Sequence, residues 1–377
     1  MITRFSHANI LQRTRYRLRI CQLIGGAVYR LPVLSLIFIV GVVTSFQNAY
    51  AAPESGSRAV VIVSGGNATS PFTTPTQACA SGLAAGNTDT ALRGHLLEHG
   101  HTVYTSPAMA GRGPVRDTDG FGAFGDCPIT LPEHMTVNST GSIDTAGEHL
   151  ARFFEYLHIS YGVDEIDIVG HSMGGLYSRA AIRVLQSLDS PIRIRSLTTI
   201  GTPWQGSYLS DYANGIIDKA DCLGDAFCAT AMDEMRSEVQ RLMAGSGREV
   251  NQAYLMGPGG WNEFQAGVLD GIPVTLIGGN RFRAPAGSAA PNPAVWPNDG
   301  LVALSSALAT DISDRVLPHR RCLSFDDTHS IFVSDQAGLA WETGMTWDPR
   351  VLEAVRAAIE GADGAPQAPT GEPCPIS

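Results

Sequence analysis

The sequence predicts an α/β fold in which a mostly parallel central sheet is covered by helices on both faces. Strand and helix patterns alternate along most of the 377 residues, as is typical of parallel sheets with helical crossovers. The first strand pattern, RAVVIVSGG at 58–66, is a β-branched run that ends in glycines, which indicates a buried strand leading into a loop. With 44% hydrophobic residues, the chain can bury a core of this kind.

The other elements follow in a regular order. A helix pattern at 90–100 ends at Gly100, and a short strand pattern at 101–107 follows it. A Gly- and Pro-rich loop then occupies 108–140 and contains a weak glycosylation motif at Asn138. The remaining predictions are an amphipathic helix at 142–162, a strand at 165–170, a helix at 173–188, strands at 194–203, 272–280 and 321–325, and a closing helix at 348–361.

One segment, 207–265, interrupts this alternation. It carries apolar and helical patterning without strand signals, and four of its apolar residues share one face of a predicted helix: Met232, Met235, Val239 and Leu242. We expect a helical lid or cap insertion over the loop end of the sheet. An extra pair of packed helices is the alternative, because a Met stripe at helical spacing usually belongs to a core.

The first 51 residues have the layout of a secretory signal. A leader with six arginines and no acidic residue precedes an apolar run at 31–43, and Ala49–Ala51 then supplies small residues for cleavage. We predict a signal peptide at 1–51, a main domain at 52–360 and a Pro- and Gly-rich tail at 361–377, in a protein that is secreted or lies in the periplasm or cell envelope. A retained anchor is the alternative, although the apolar run is shorter than the ~20 residues of a spanning helix.

Charge narrows the range of partners. After the leader, the chain keeps 20 of its 26 basic residues and all 36 acidic ones, a formal charge of −16. Such a surface repels nucleic acid and anionic lipid headgroups. We therefore expect no nucleic-acid partner and no stable membrane insertion after signal cleavage, while the oligomeric state stays unknown.

Six cysteines follow the leader. An even number in an exported chain suggests disulfides, and proximity in the sequence favours one set of pairs. No CxxC or Cys/His cluster has the spacing of a zinc site, so we predict no metal. The favoured pairs are Cys79–Cys127, Cys222–Cys228 and Cys322–Cys374.

The strongest chemical motif is the G-x-S-x-G sequence that runs from Gly170 to Gly174, with His171, Ser172 and Met173 between them. A strand pattern stands directly before it and a helix pattern directly after it, which is the context of a nucleophile elbow. Such an elbow has a strained backbone and leaves no room for a side chain at either glycine. Ser172 is therefore the candidate nucleophile, and an ordinary Gly-rich turn is the alternative.

Four segments together resemble the α/β-hydrolase superfamily, in particular its secreted bacterial lipases and esterases. They are VGHSMGGLYSR at 169–179, IGTPWQGS at 200–207, NDGLV at 298–302 and DDTHSIF at 326–332. The resemblance implies an α/β-hydrolase domain over 52–360, with a triad in the chain order Ser, Asp, His and no cofactor. The calcium motif of some of these lipases has an acidic residue where Ile331 stands, so the resemblance implies no required metal.

A serine hydroxyl needs a base, and two late histidines can supply it. We favour His329, because it follows the strand pattern at 321–325, where loops converge on the elbow. His319 precedes that strand and would lie at the opposite end of the sheet. His171 lies within the elbow, with its side chain expected to point away from the nucleophile. Four further histidines sit on or beside early helices and are expected at the surface: His95, His101, His149 and His158.

The orienting acid is expected after the strand at 272–280. Asp299 in WPNDGLV matches the lipase pattern, and Gly300 behind it allows a tight turn. Its competitors are loop carboxylates that are more often solvated: Asp311, Asp314, Asp326 and Asp327.

The oxyanion formed by such a nucleophile needs two backbone N–H donors. Met173, the residue after the nucleophile, should supply one. The other should follow the first strand, where related lipases carry His-Gly and this chain has Ser64-Gly65-Gly66-Asn67. Gly66 is the best candidate, with Asn67 next.

These expectations combine into one function. The chain should be a secreted serine hydrolase that cleaves carboxylic esters of small molecules or lipids, and the apolar insertion favours a lipase over a short-chain esterase. Polyester depolymerase and thioesterase activities would use the same residues, and a peptidase is mechanistically open. The alternative from another class is a non-catalytic α/β-hydrolase fold that serves as a binding module. The natural ester and its acyl chain length do not follow from the sequence.

Overall fold

The computed structural model describes residues 57–86, 88–116, 124–242, 245–362 and 374. The predicted signal peptide and nearly all of the predicted tail lie outside this range. In chain order the strands are β1 (Ser57–Val63), β2 (Ser81–Gly82), β3 (Val103–Thr105), β4 (Ala108–Met109), β5 (Phe124–Gly125), β6 (Val137–Asn138), β7 (Val163–His171), β8 (Arg193–Ile200), β9 (Val274–Gly279) and β10 (Arg320–Phe325).

Six of these strands form the central sheet, in the order β10-β9-β8-β7-β1-β3. Every neighbouring pair is parallel, which confirms the predicted parallel sheet. The β-branched run of β1 explains its place next to the middle, because Val61 and Val63 face one apolar layer and Val60 and Ile62 face the other.

Helices cover both faces of the sheet. On one face α2 and α3 contribute to the larger apolar cluster, and on the other face α1 and α10 pack with the second cluster. In chain order the helices are α1 (Asp89–Glu98), α2 (Ile143–Tyr161), α3 (Gly174–Ser187), α4 (Tyr208–Ala213), α5 (Ala226–Leu242), α6 (Ser246–Glu249), α7 (Gln252–Met256), α8 (Leu304–Ala307), α9 (Ile331–Gln336) and α10 (Pro349–Gly361), with short 3₁₀ turns at Glu133–Met135, Lys219–Cys222, Glu263–Gln265 and Trp341–Thr343.

Local sequence sets the ends of the long helix α2. Ser142 caps its first turn by accepting a hydrogen bond from the amide of Thr145 at 3.2 Å. Gly162 ends it in the left-handed conformation, with φ of 66°. Its predicted apolar face is buried as expected: Ile143, Leu150, Phe153, Phe154 and Leu157.

The loop predicted at 108–140 contains more structure than its sequence suggested. Strands β4 and β6 pair with each other in parallel, and β5 pairs with β2 in antiparallel orientation. The local pattern gave no sign of these pairings, because two-residue strands are too short to show a period. Residues 117–123 of the loop lie outside the described residues.

The structure forms three disulfides, and they join the pairs that proximity in the sequence favoured: Cys79–Cys127, Cys222–Cys228 and Cys322–Cys374. Cys79–Cys127 ties the long loop to the segment after β1. Cys322–Cys374 attaches the chain beyond α10 to the edge strand β10.

The segment 207–265 is helical, and its two halves pack differently. The first half forms a separate apolar cluster with Val295 and Trp296, to which Tyr208, Tyr212 and Met232 contribute. The second half joins the main core through Val250, Leu255 and Trp261. The first half therefore packs apart from the main core, while the second half is part of it; a lid or cap role for the segment stays a prediction.

Among the residues that the structure describes, we find no helix long and apolar enough to cross a membrane.

Candidate active site

The topology of the sheet brings two loops together at its carboxyl edge. Strands β1 and β7 are neighbours, but the chain continues from β1 towards β3 on one side and from β7 towards β8 on the other. Loops that leave in opposite directions open a crevice at this edge, where parallel sheets usually hold their ligands. The elbow follows β7, and the segment Ser64–Asn67 follows β1.

Ser172 has the backbone of a strained turn. Its φ is 55°, in the left-handed region that a residue with a side chain rarely adopts. The surrounding chain holds it there, because its amide donates to the carbonyl of Ile200 at 2.8 Å. Its own carbonyl accepts from the hydroxyl of Thr202 at 2.7 Å. The serine side chain is partly exposed, so a substrate can reach it.

The two glycines of the elbow lie where the backbones approach most closely. A Cβ on Gly174 would lie 2.1 Å from the carbonyl oxygen of Val63 in the neighbouring strand β1. A Cβ on Gly170 would lie 2.6 Å from the backbone nitrogen of Gly175 in helix α3. Both distances are too short for any side chain, so the elbow requires glycine at both positions.

His329 and Asp299 form a buried pair at the same edge of the sheet. His329 Nδ1 donates to Asp299 Oδ2 at 2.7 Å, and both side chains are almost completely buried. The other carboxylate oxygen of Asp299 accepts from the amides of Leu301 and Val302 at 2.9 and 2.7 Å. The carboxylate is thus fixed, and the imidazole is held with its proton on Nδ1 and a lone pair on Nε2.

His171 lies beside this pair. Its Nε2–H donates to the backbone carbonyl of His329 at 3.0 Å, and the centres of the two rings are 4.8 Å apart. Burial lowers the pKa of His171 to about 3, with a smaller contribution from the nearby His329. His171 is therefore neutral at ordinary pH and acts as a fixed donor that holds the backbone of His329.

The structure brings the favoured histidine and acid together and leaves their competitors elsewhere. The carbonyl of His319 accepts from the amide of Val274 at the beginning of β9, so His319 lies at the amino edge of the sheet. The competing carboxylates bind other side chains, in the pairs Asp311–Gln205, Asp314–Arg320, Asp326–Arg281 and Asp327–Arg350.

The segment after β1 lies directly against Ser172. A Cβ on Gly65 would lie 2.4 Å from Ser172 Cβ and 2.9 Å from Ser172 Oγ. The amide of Asn67 already donates to the carbonyl of Ser139 at 3.1 Å, which argues against Asn67 as an oxyanion donor. Within the described residues, the amides of Gly66 and Met173 donate to no protein acceptor, so both can serve a ligand.

Ser139 supports the segment after β1, a role that was not expected from the sequence. Ser139 is buried in the long loop, and its carbonyl accepts from the hydroxyl of Tyr177 at 2.9 Å as well as from Asn67. The hydroxyl of Ser139 donates to the carbonyl of Ala68 at 2.7 Å. Only its place in a long loop, where functional residues concentrate, could have drawn attention to it.

Asp89 holds the same segment from the other side. Its buried carboxyl accepts from the hydroxyls of Ser64 and Ser70, the second at 3.2 Å. Burial raises the pKa of Asp89, against the effect of these hydrogen bonds. Its position in the first turn of α1 suggested an ordinary acidic residue near a helix start, so the sequence gave no sign of this role.

The first half of the segment 207–265 contacts the loop that carries Asp299. The hydroxyl of Tyr208, the first residue of α4, donates to the carbonyl of Gly300 at 2.8 Å. Ser207 donates to the carbonyl of Leu301 at 2.6 Å. Phe227, in the first turn of α5, stacks on Phe282 with ring centres 4.7 Å apart. These contacts fix the first half of the segment against the loop that carries Asp299.

Residues 129–217, which include the elbow, match a family model described as "Putative serine esterase (DUF676)". Over 78 residues the chain is 35% identical to a triacylglycerol lipase of Pseudarthrobacter phenanthrenivorans, a match that covers 21% of this chain and 23% of the lipase. It is equally similar over 78 residues to a triacylglycerol lipase of Burkholderia plantarii, with 21% and 20% covered. The chain thus spans less than a quarter of either relative.

A solved structure with a similar chain path is the mature form of a Bacillus licheniformis lipase. It is 14% identical, with a TM-score of 0.44, and the likeness covers 81% of this chain and 94% of that one.

Proposed function

We propose that the protein is a serine hydrolase that cleaves carboxylic esters through Ser172, Asp299 and His329. The observation that carries this proposal is the buried hydrogen bond of 2.7 Å between His329 and Asp299. His329 also contacts His171, the residue directly before the nucleophile. The serine esterase family model that matches 129–217 supports the same reaction class.

The fixed tautomer of His329 gives a direct mechanism. Ser172 Oγ attacks the ester carbonyl carbon while its proton passes to His329 Nε2, and Asp299 stabilises the imidazolium that forms. The amides of Met173 and Gly66 donate to the oxyanion, next to the amino end of α3. The imidazolium then protonates the leaving alcohol, and an acyl-enzyme remains on Ser172. Water attacks this ester with His329 again as the base, which frees the acid and restores the serine.

Within this class, we favour a lipase or a carboxylesterase that accepts apolar acyl groups. The cap supplies an apolar cluster that reaches the loop of Asp299, and two relatives matched in part are named triacylglycerol lipases. Initial rates on p-nitrophenyl esters from C2 to C16 test this preference. Activity restricted to C2–C4 would exclude a lipase and leave a short-chain esterase.

We also propose that the protein is exported. Three disulfides form and persist in oxidising compartments and are rare in the cytosol. Expression of the full chain with cell fractionation, followed by N-terminal sequencing of the exported product, tests this proposal. Export should yield a protein that begins near Ala52, whereas a cytosolic product with an intact leader would contradict it.

Replacing the nucleophile tests the catalytic proposal. Ser172→Ala should lower kcat/KM on p-nitrophenyl esters on the order of 10⁴-fold or more, because no other group can carry the acyl intermediate. Ser187→Ala removes an exposed hydroxyl from the same helix, α3, and should leave the rate unchanged. Near-parental activity in Ser172→Ala would overturn the assignment.

A fluorophosphonate label separates catalysis from mere binding. The label should modify Ser172 of the folded protein at one equivalent, as identified by peptide mass spectrometry. Folded protein that gives no adduct on Ser172 would favour a binding module built on a hydrolase fold.

A further inference from the structure

A second group of chemically reactive side chains lies on the helices that cover the other face of the sheet. His95 lies on α1, His99 follows one turn later at its end, and Glu353 lies on α10. One ligand atom of each lies within 4.8 Å of the other two, and His95 Nε2 is 3.6 Å from Glu353 Oε2. We propose that these three side chains bind a divalent transition-metal ion such as Zn²⁺, which joins α10 to α1.

Both imidazoles are prepared for ligation. His99 Nδ1 donates to the carbonyl of His95 at 2.7 Å, which leaves the lone pair of His99 on Nε2. A backbone acceptor of this kind is the usual way in which proteins orient a metal-binding histidine. His95 Nε2 is buried and has no hydrogen-bond partner within the described residues.

The spacing suits a small ion. Ligand atoms about 2.0–2.2 Å from a tetrahedral zinc stand about 3.3–3.6 Å from one another. The contact of 3.6 Å between His95 and Glu353 already has this length, and the widest separation of 4.8 Å must close by about 1 Å. Two imidazoles and a carboxylate suit Zn²⁺, Cu²⁺ or Ni²⁺ better than Mg²⁺ or Ca²⁺.

Apolar packing of α1 and α10 against the sheet holds the proposed ligands in place. Leu92 and Leu96 of α1 and Val355 of α10 belong to the same apolar cluster. Asp89, at the other end of α1, bonds to the segment after β1. The ten residues of α1 span about 15 Å, so the proposed site lies away from the candidate active site and is independent of the proposed hydrolysis.

A bound metal ion would compete with Arg356 for the carboxylate of Glu353. Arg356 donates to both carboxylate oxygens of Glu353, from Nε to Oε2 at 2.9 Å and from Nη2 to Oε1 at 2.5 Å, and it also donates to Glu360 at 2.5 Å. When the ion binds Glu353, Arg356 can keep Glu360 as its partner, so the ion leaves no charge without a counter-charge.

Zinc binding to tag-free protein tests the proposal. After chelator treatment and dialysis, isothermal titration with ZnCl₂ should give one equivalent bound. At about 100 times Kd, zinc should raise Tm by about 2–5 °C. His99→Gln and Glu353→Gln should each weaken zinc binding at least about tenfold and abolish the rise in Tm. His134→Gln and Glu148→Gln remove an exposed histidine and an exposed acid of α2, and both should bind zinc like the parent.

The zinc-induced change in Tm, rather than Tm itself, is compared, because Glu353→Gln also removes the ion pair with Arg356. His95→Gln is a replacement if either ligand variant loses its parental far-UV spectrum. No binding at 100 μM ZnCl₂, binding that persists in Glu353→Gln, or equal losses in the control variants would overturn the site. Esterase assays play no part in these outcomes, so they stand whether or not the proposed hydrolysis is correct.

Discussion

The carboxyl and amino edges of the central sheet differ in how deeply their polar groups are buried. At the carboxyl edge, Asp299, His329 and His171 are buried, and each has a fixed hydrogen-bond partner. At the amino edge, a cavity of about 500 Å³ lies between the end of α3 and the beginnings of β8 and β9, with Asp270 and Arg193 in its lining. Arg193 forms its ion pair with Glu165 in contact with water.

This contrast shows why the volume of a cavity is a poor guide to chemistry here. Water screens the exposed charges at the amino edge, such as the Arg193–Glu165 pair, so they can change protonation and position at little cost. Arg195 of the same lining is the exception, because it forms a buried ion pair with Asp167. Hydrogen bonds in the buried carboxyl edge act at a lower dielectric constant and are already oriented before a substrate arrives. We therefore expect substitutions at the carboxyl edge to affect turnover, and comparable ones at the amino edge to leave it unchanged.

The largest effect, after loss of the nucleophile, is expected for the acid. Asp299→Asn should lower kcat on the order of 10⁴-fold, because an amide can donate to Nδ1 and so favour the wrong tautomer of His329. Asp326→Asn changes an exposed carboxylate that pairs with Arg281 and serves as the matched control. A loss of less than tenfold in Asp299→Asn would mean that another carboxylate orients the base.

The glycines after β1 should differ from each other. In Gly65→Ala the new methyl group would lie 2.4 Å from Ser172 Cβ, whereas in Gly66→Ala it would meet the flexible side chain of Met173 at 2.7 Å from Sδ. Since a misplacement of about 1 Å can cost about 10²-fold, we expect a loss of that order in kcat for Gly65→Ala and a clearly smaller one for Gly66→Ala. Reversed effects on kcat, in variants with parental far-UV spectra, would contradict this account of the crevice.

The sequence was sufficient for the features that local patterns encode. The alternation of patterns predicted the parallel sheet, and the cap residue Ser142 marked the beginning of α2. The flanking strand and helix gave the elbow its context. His329 could be chosen because it follows β10, and carboxyl ends of parallel strands share one edge. Asp299 could be chosen among the carboxylates after β9 because WPNDGLV resembles the lipase pattern.

Contacts between distant segments were beyond reach. Asp89 and Ser139 hold the segment after β1 through bonds to residues far away in the chain, and no local period records such a contact. The segment 207–265 looked uniform because its two halves have similar helical patterns. Its division between a separate cluster and the main core depends on which partners each half meets.

His171 offers a test of the buried edge without changing any group of the proposed triad. His171→Phe keeps an aromatic ring but removes the donor to the His329 carbonyl, and we expect a loss of about tenfold in kcat with little change in KM. His171→Gln can place an amide N–H near the position of Nε2 and should recover most of the activity. If the glutamine and phenylalanine variants lose the same activity, the hydrogen bond is not what positions the base.

The same histidine should give the protein a measurable sensitivity to acid. Its pKa falls from 6.5 to about 3 on folding, so between these values the unfolded chain binds a proton that the folded protein does not. Its contribution is present above pH 6.5 and is lost as the pH falls towards 3, by about 1.4 kcal/mol per pH unit. The difference in the free energy of unfolding between the parent and His171→Gln, measured in urea from pH 4 to 7, should show this slope.

Asp327 changes the pH dependence in the opposite direction. Burial and the neighbouring Asp348 raise its pKa to about 7, so its contribution is present below pH 3.8 and is lost as the pH rises through about 7. This contribution is common to the parent and His171→Gln and cancels in their difference. A pH-independent difference would mean that the pKa of His171 is not lowered in the folded protein.

The smallest effect is expected at the amino edge, where Asp270→Tyr would place a large ring at the cavity. Asp270 is exposed, and surface substitutions of this kind usually change stability by less than about 0.5 kcal/mol, which leaves the folded fraction almost unchanged. We therefore expect kcat/KM on a p-nitrophenyl ester to stay within about twofold of the parent, with an unchanged rate of fluorophosphonate labelling. The matched change at the other edge is Gly65→Ala, which adds only one methyl group. If filling the amino-edge cavity lowered activity more than that methyl group, catalysis would depend on open volume rather than on the fixed polar groups of the buried edge.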